Sequence, residues 1–314
     1  MQSDSPVHGV VKLAPAKINL TLDILDKRPD NYHDIRSVMQ TVGLYDEIHV
    51  ETNDLLSREL SLYVVGACAH GVPEGAGNIA YKAAHLILDY AFENGMLQGL
   101  RPKLQLKITK NIPHQAGLGG GSSDAASTLI AINELLGLSI GRADLMSLGA
   151  AVGADVPFFV HGGLALVEGI GDRVLPLSVA CGTTSAVIVK PNFGSDTRQA
   201  FGLWDSATTT CRGGTDRWLR SDKSFIDRPL HNDFHDLMAT YQPDLLRIAS
   251  EFSRVCDDQV NSYSRPMLSG SGSSLYVLAT SIEAAQAVAT ETSRLFGMPT
   301  WAVFLTGGDS FVTL

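Results

Sequence analysis

Pro113-His114-Gln115-Ala116-Gly117-Leu118-Gly119-Gly120-Gly121-Ser122-Ser123-Asp124-Ala125-Ala126 is the most informative run of the chain, because of what lies on either side of it. Upstream, Leu104, Leu106 and Ile108 alternate with Gln105 and Lys107, the period of a half-buried strand. Downstream, residues 122–136 carry a helical pattern. Glycine lets backbone N–H groups turn inward and approach a ligand, and the first turn of a helix adds unpaired donors and about half a positive charge. A strand, a glycine run and a helix in this order make a phosphate cradle. The alternative is a plain strand-to-helix turn with Ser122 or Ser123 as its N-cap. Two commoner nucleotide loops do not fit. No Lys follows Gly121 as a Walker A loop requires, and Ser122 stands where a dinucleotide fingerprint needs its third Gly.

The surrounding composition limits what such a cradle can serve. With 314 residues the chain is long enough for two domains at ~150 residues each and for a core without disulfide staples. Its 45% hydrophobic and 18% charged residues exclude a disordered or collagen-like chain. The formal charge of -9 repels a polyanion, so nucleic acid is not an expected partner, whereas one small phosphate compound in a local basic pocket is compatible. Cys68, Cys181, Cys211 and Cys256 are scattered without metal-binding or redox spacing. Residues 1–13 lack the basic start and apolar run of a signal peptide, and no stretch approaches ~20 apolar residues, so the expected location is cytoplasmic, with no membrane partner.

Strand patterns occupy residues 7–13, 18–25, 47–51 and 60–65, followed by a helix from 78 to about 93. A second helix covers 142–152 with Gly153 as its stop, and strands follow near 164–167 and 186–189. Residues 205–228, with Thr208, Thr209, Thr210, Gly213 and Gly214, read as a long surface loop or a partly ordered insertion, with mobility and no chemistry expected there. Helices at 243–257 and 281–296 bracket a strand at 274–279, and 301–305 is a last strand. Strands alternating with helices on both sides of the loop predict two α+β lobes.

Three segments taken in order resemble the motifs of the GHMP kinases, the superfamily of galactokinase, homoserine kinase and mevalonate kinase. They are Pro15-Ala16-Lys17-Ile18-Asn19-Leu20, the 117–126 loop, and Leu268-Ser269-Gly270-Ser271-Gly272-Ser273-Ser274. The resemblance implies a two-lobed α+β fold, with an N-terminal lobe like ribosomal protein S5 domain 2 (residues 1–165, ATP-binding) and a ferredoxin-like C-terminal lobe (residues 166–314, substrate-binding). It implies ATP with Mg2+ as cofactors, the nucleotide lying on Pro113, Gly117, Leu118, Gly119, Gly120, Gly121, Ser122 and Ser123. Ser122 or Ser123 is the first choice as a hydroxyl ligand of the metal, whose protein ligands stay undetermined.

Arg28-Pro29-Asp30-Asn31-Tyr32-His33, Gly153-Ala154-Asp155-Val156-Pro157-Phe158-Phe159 and Glu168-Gly169-Ile170-Gly171-Asp172 are similar to the branch whose acceptor is a cytidine diphosphate derivative of methylerythritol, in the non-mevalonate route to isoprenoids. The branch implies Asp155 as general base and Lys17 beside it, orienting the acceptor hydroxyl. Read alone, Asp155 is an N-cap for a helix at Val156 and Lys17 a surface lysine. Asn19 shares the strand face of Lys17 and either bonds substrate or plays a structural part. By resemblance Tyr32 packs on the cytosine ring, His33 bonds its edge, and Phe201, placed by Pro191 and Thr197, forms the opposite wall; otherwise Phe201 is a core aromatic and Tyr32 and His33 are loop residues. Ser269 and Gly270 approach the substrate, or simply turn the chain. Lys82 and Lys110 either touch ATP or are solvated. Asn31 stands where Gly is usual, and His235 where an acid is usual; Asn tolerates positive φ. A monomer or weak homodimer acting on a small molecule is expected. A homoserine, mevalonate or sugar acceptor, or a catalytically dead nucleotide-binding regulator, is the alternative.

Overall fold

The computed structural model describes residues 8–57, 59–207, 213–259 and 263–307. Two long strands, β1 (His8–Lys27) and β2 (His33–Asp54), form an antiparallel hairpin that is the spine of the molecule. The two short strand patterns at 7–13 and 18–25 are thus one strand, and register shifts between Pro15 and Ala16 and between Asn19 and Thr21 let it bend. β3 (Glu59–Val65) and β4 (Lys103–Thr109) pair in parallel, with β4 antiparallel to the far half of β2. β5 (Leu164–Gly169) takes the near half of β2 and carries β6 (Arg173–Pro176) on its other side. The two-residue β8 (His231–Asn232) returns to lie parallel to β1.

Helices α1 (Ile79–Glu93), α2 (Gly120–Leu135), α3 (Arg142–Val152) and α4 (Val156–His161) accompany this sheet. Ala84, Ile87, Leu129 and Ile132 pack in one core with Leu106 and Ile108 of β4. Asn78 caps α1 by accepting the N–H of Ala80 at 2.9 Å.

The second sheet is antiparallel, in the order β11 (Thr300–Phe304), β7 (Ser185–Val189), β10 (Leu275–Ala279), β9 (Met267–Leu268). One set of its side chains, Ala186, Ile188, Tyr276, Leu278 and Val303, packs on Ile18, Leu20, Val38 and Val42 of the β1–β2 hairpin. The alternate set, Val187, Val189, Leu275 and Val277, belongs to the core that contains Val288 of α9 (Ile282–Phe296) and Ile248 and Phe252 of α8 (Pro243–Asp257). β1 is therefore covered on both faces, and every residue from Ala14 to Ile24 is buried. The chain passes from the first sheet to the second between Pro176 and Ser185, because the β5–β6 hairpin stays on β2.

Residues 205–228 are not a plain loop where they are described. α5 (Thr197–Ser206) runs into the segment, α6 (Gly214–Leu219) lies within it, and α7 (Asp233–Tyr241) follows. Trp218 is fully buried, and both carboxylate oxygens of Asp23 accept backbone N–H groups, from Gly214 and Thr215, at 2.8 Å. Thr208, Thr209, Thr210 and Cys211 lie outside the described residues. None of the helices among the described residues is long and apolar enough to cross a membrane.

Candidate active site

The glycine run leaves β4 and enters α2 two residues earlier than its sequence pattern predicts, so Ser122 and Ser123 lie inside the first turn. The N-cap is Gly119, in the left-handed region at φ 72°, and neither serine caps the helix. A Cβ on Gly117, also at φ 72°, would meet the carbonyl oxygen of Ser269 at 2.0 Å, and one on Gly119 would meet the Phe159 ring at 2.6 Å. Both positions thus require glycine for conformation and for close approach. The N–H of Ser123 is bonded to the Gly119 carbonyl at 3.0 Å, leaving those of Gly120, Gly121 and Ser122 as the open donors of the turn. Gly121 is exposed, Ser122 half-buried and Ser123 fully enclosed, its hydroxyl without a partner among the described residues. Pro113 and Leu118 flank the run, and the Leu118 carbonyl accepts the N–H of Lys17 at 3.0 Å.

That bond seats the loop on β1 beside Lys17, which is only 4% exposed and is no surface lysine. Its ammonium donates to Asn19 Oδ1, while Asn19 Nδ2 donates to Ser37 Oγ at 2.8 Å and the Tyr276 hydroxyl to the Asn19 carbonyl at 2.7 Å. Burial lowers the Lys17 pKa, and the nearby negative charge of Asp155 partly opposes that. Asp155 stands half-buried just before α4, and its side chain makes no capping bond to the helix.

The second lobe closes the same crevice. Ser269 Oγ donates to the Gly117 carbonyl at 2.9 Å and the N–H of Ser274 to that of Ala116 at 3.1 Å. Gly270, at φ 54°, lies so close that a Cβ there would sit 3.1 Å from Lys17 Nζ. Asn232 Nδ2 holds this turn by donating to the carbonyls of Leu268 and Gly270 at 2.7 and 2.8 Å. His235, where an acid is usual, accepts the Leu268 N–H on Nδ1 at 3.2 Å, as a carboxylate would.

On the acceptor side, Asn31 sits at φ 68°, in the turn its side chain tolerates. Tyr32 is 58% exposed and offers a free ring face. His33 is buried, stacks on Phe201 with centroids 4.8 Å apart at 14°, and places Nε2 2.7 Å from Asp205 Oδ1. Edge-reading His33 and wall-forming Phe201 are thus in direct contact with each other. Phe201 in turn meets the Phe234 ring edge-on at 5.0 Å, so it is wall and core at once. Asp205 was not singled out from sequence; its place one helical turn beyond Phe201 was the available signal.

Lys110 is not solvated. It lies under the loop at 3% exposure, its ammonium shared between Asp46 and Asp124, the latter at 2.6 Å. Burial pushes the Asp124 carboxyl well up despite the attraction of Lys110. Lys82 is exposed on α1. A further cluster, Asp23, His231 and Asp233, is closed by hydrogen bonds: His231 Nε2 lies 2.8 Å from Asp233 and 3.3 Å from Asp23.

These features can be set beside known proteins. A family profile described as GHMP kinases N terminal domain matches residues 78–163, which includes the whole glycine loop and α4. The 4-diphosphocytidyl-2-C-methyl-D-erythritol kinase of Geotalea daltonii is 36% identical over 286 residues, covering 90% of this chain and 93% of the relative. That of Geobacter metallireducens is 45% identical over 201 residues, 62% of this chain and 67% of the relative. The crystal structure of a 4-(cytidine 5'-diphospho)-2C-methyl-D-erythritol kinase superposes with TM-score 0.76 at 28% identity over 95% of this chain and 100% of that one. A homoserine kinase from Cytophaga hutchinsonii shares the fold, with TM-score 0.70 at 19% identity and 98% coverage of both chains. Similarity along nearly the full length of the Geotalea relative carries the assignment beyond fold, and the chain belongs to the 4-diphosphocytidyl-2-C-methyl-D-erythritol kinase family.

Proposed function

We propose that the chain transfers the γ-phosphoryl group of ATP to the 2-hydroxyl of 4-diphosphocytidyl-2-C-methyl-D-erythritol, giving the 2-phosphate and ADP. The observation that carries this reading is the meeting of the Lys17 ammonium, the glycine loop and the 269–274 turn in one crevice, with the charge of Asp155 acting on Lys17. Asp155 accepts the hydroxyl proton as the acceptor oxygen bonds to phosphorus and the bond from phosphorus to the departing ADP oxygen breaks. Lys17, aimed by Asn19, orients the acceptor hydroxyl and favours its ionised form. The open N–H groups of Gly120, Gly121 and Ser122 receive phosphate oxygens at the positive end of α2. Ser269 and Gly270 bound the acceptor from the second lobe.

The loop suits a polyphosphate: side chains are excluded at Gly117 and Gly119, and backbone donors line its rim. Mg2+ bound to ATP would supply charge neutralisation on the phosphates, and Ser122 or Ser123, the hydroxyls of the first turn, would be its protein contact. Tyr32 lends its exposed face to the cytosine ring, with His33 and Phe201 completing that end. We place the activity in the cytoplasm, in a monomer or weak homodimer without nucleic-acid or membrane partners.

The test offers Mg2+-ATP with the cytidyl substrate, homoserine or mevalonate and follows ADP release. Release with the cytidyl substrate alone is expected. Release with homoserine or mevalonate alone would assign the other acceptor, and ATP binding without any turnover would mark a regulator.

A further inference from the structure

We propose that Asp205 is a positioning residue that holds the proton of His33 on Nε2, leaving Nδ1 as the acceptor that reads cytosine against uracil. The inference rests on the acceptor reading above, which places a cytidyl group at His33. Lys27 and His33 are paired at the turn end of the β1–β2 hairpin, and Asp205 reaches both from α5. Its Oδ1 lies 2.7 Å from His33 Nε2, and its Oδ2 accepts from Lys27 Nζ at 2.6 Å.

The hydrogen bond from Lys27, and then that from His33, holds the Asp205 carboxyl below its usual range. An ionised carboxylate only accepts, so a neutral imidazole facing it must donate from Nε2 and keep a bare lone pair on Nδ1. Nδ1 takes part in no hydrogen bond recorded among the described residues, and the parallel face of Phe201 sets the ring plane. Cytosine offers a 4-amino donor to such an acceptor, whereas uracil presents an oxygen whose lone pairs would face the nitrogen. Discrimination between the two bases thus follows from a residue that touches neither.

Two measurements test this. In 15N NMR of the full chain near neutral pH, the His33 signals, identified by their loss in His33→Gln, are expected to report a neutral ring protonated on Nε2. An imidazolium or an Nδ1–H ring would overturn the proposal. In kinetics, Asp205→Ala is expected to reduce the ratio of kcat/KM for the cytidyl substrate over its uridyl analogue by about 10- to 100-fold, with KM for ATP held within about twofold. An unchanged ratio in folded Asp205→Ala would overturn the proposal. Should that variant not fold, Asp205→Asn, whose amide can donate to Nε2 as well as accept from it, is expected to reduce the same kcat/KM ratio, and an unchanged ratio would count against the proposal. If the parent protein turns over neither acceptor, the acceptor reading fails, while the spectra still decide what Asp205 does to His33.

Discussion

Lys17 owes its chemistry to burial. An ammonium held out of water by both sheets loses solvation, and Asp155 is the charge that opposes this loss. Replacing Asp155 with Asn removes that opposition, so the Lys17 pKa is expected to fall further, as measured by NMR of the labelled lysine; a rise or no change would separate the two groups. His231 behaves in the opposite sense. Hydrogen bonds to Asp23, and then Asp233, raise its pKa to about 9. Burial works to raise that of Asp23, but the bonds from His231, Thr215 and Gly214 outweigh it and hold Asp23 at about 2. The stabilisation from His231 is complete below its ordinary value of 6.5 and is lost as pH climbs through 9, and that from Asp23 is complete above 3.8 and is lost as pH drops through 2. The difference in unfolding free energy between the parent and His231→Gln is accordingly expected to be largest between pH 4 and 6.5, on the order of 1–2 kcal/mol after screening, and to shrink toward pH 9. A gap that widens with pH would contradict this. Neither group was legible from its own neighbours in the chain: the partners of His231 include Asp23, and the burial of Lys17 depends on strands far downstream.

At the scale of elements, the glycine loop was legible because its information is local. Alternation before it, glycines within it and helical period after it all fall inside residues 104–136. The start of α2 was misplaced because a glycine N-cap has no side chain to announce it. Gly117→Ala, forced into positive φ and against the Ser269 carbonyl, is expected to cost about 2 kcal/mol or more and to raise KM for ATP. Gly121→Ala meets nothing closer than Ile79 at 3.5 Å and gains helix propensity, so its melting temperature is expected to hold or rise. Equal losses in the two variants would refute the packing argument. Lys110 ties β2 to α2 through Asp46 and Asp124, so Lys110→Met leaves two buried carboxylates facing one another. A loss of about 3–5 kcal/mol in denaturant unfolding is expected, and a neutral effect would mean that the carboxylates find other partners. Residues 205–228 were less legible for the opposite reason to the loop: of the two readings, loop or partly ordered insertion, the structure favours the second, because their polar sequence hides anchors supplied by Asp23 and by Arg36, which pairs with Asp216.

For the whole molecule, two sheets meet face to face across β1, and the crevice opens where the glycine loop, the 269–274 turn and α4 come together beside that strand. Element order and the α+β class were readable from periodicity, since most strands and helices fall where the pattern put them. Which faces pack together was not, because the same alternation suits solvent on one side or a second sheet. The most direct measurement compares the parent with Asp155→Asn for turnover of Mg2+-ATP and the cytidyl substrate, alongside ATP affinity. Turnover reduced by about 10²- to 10⁴-fold with ATP binding intact is the predicted result; turnover retained near the parental rate would contradict an account in which this carboxylate takes the hydroxyl proton.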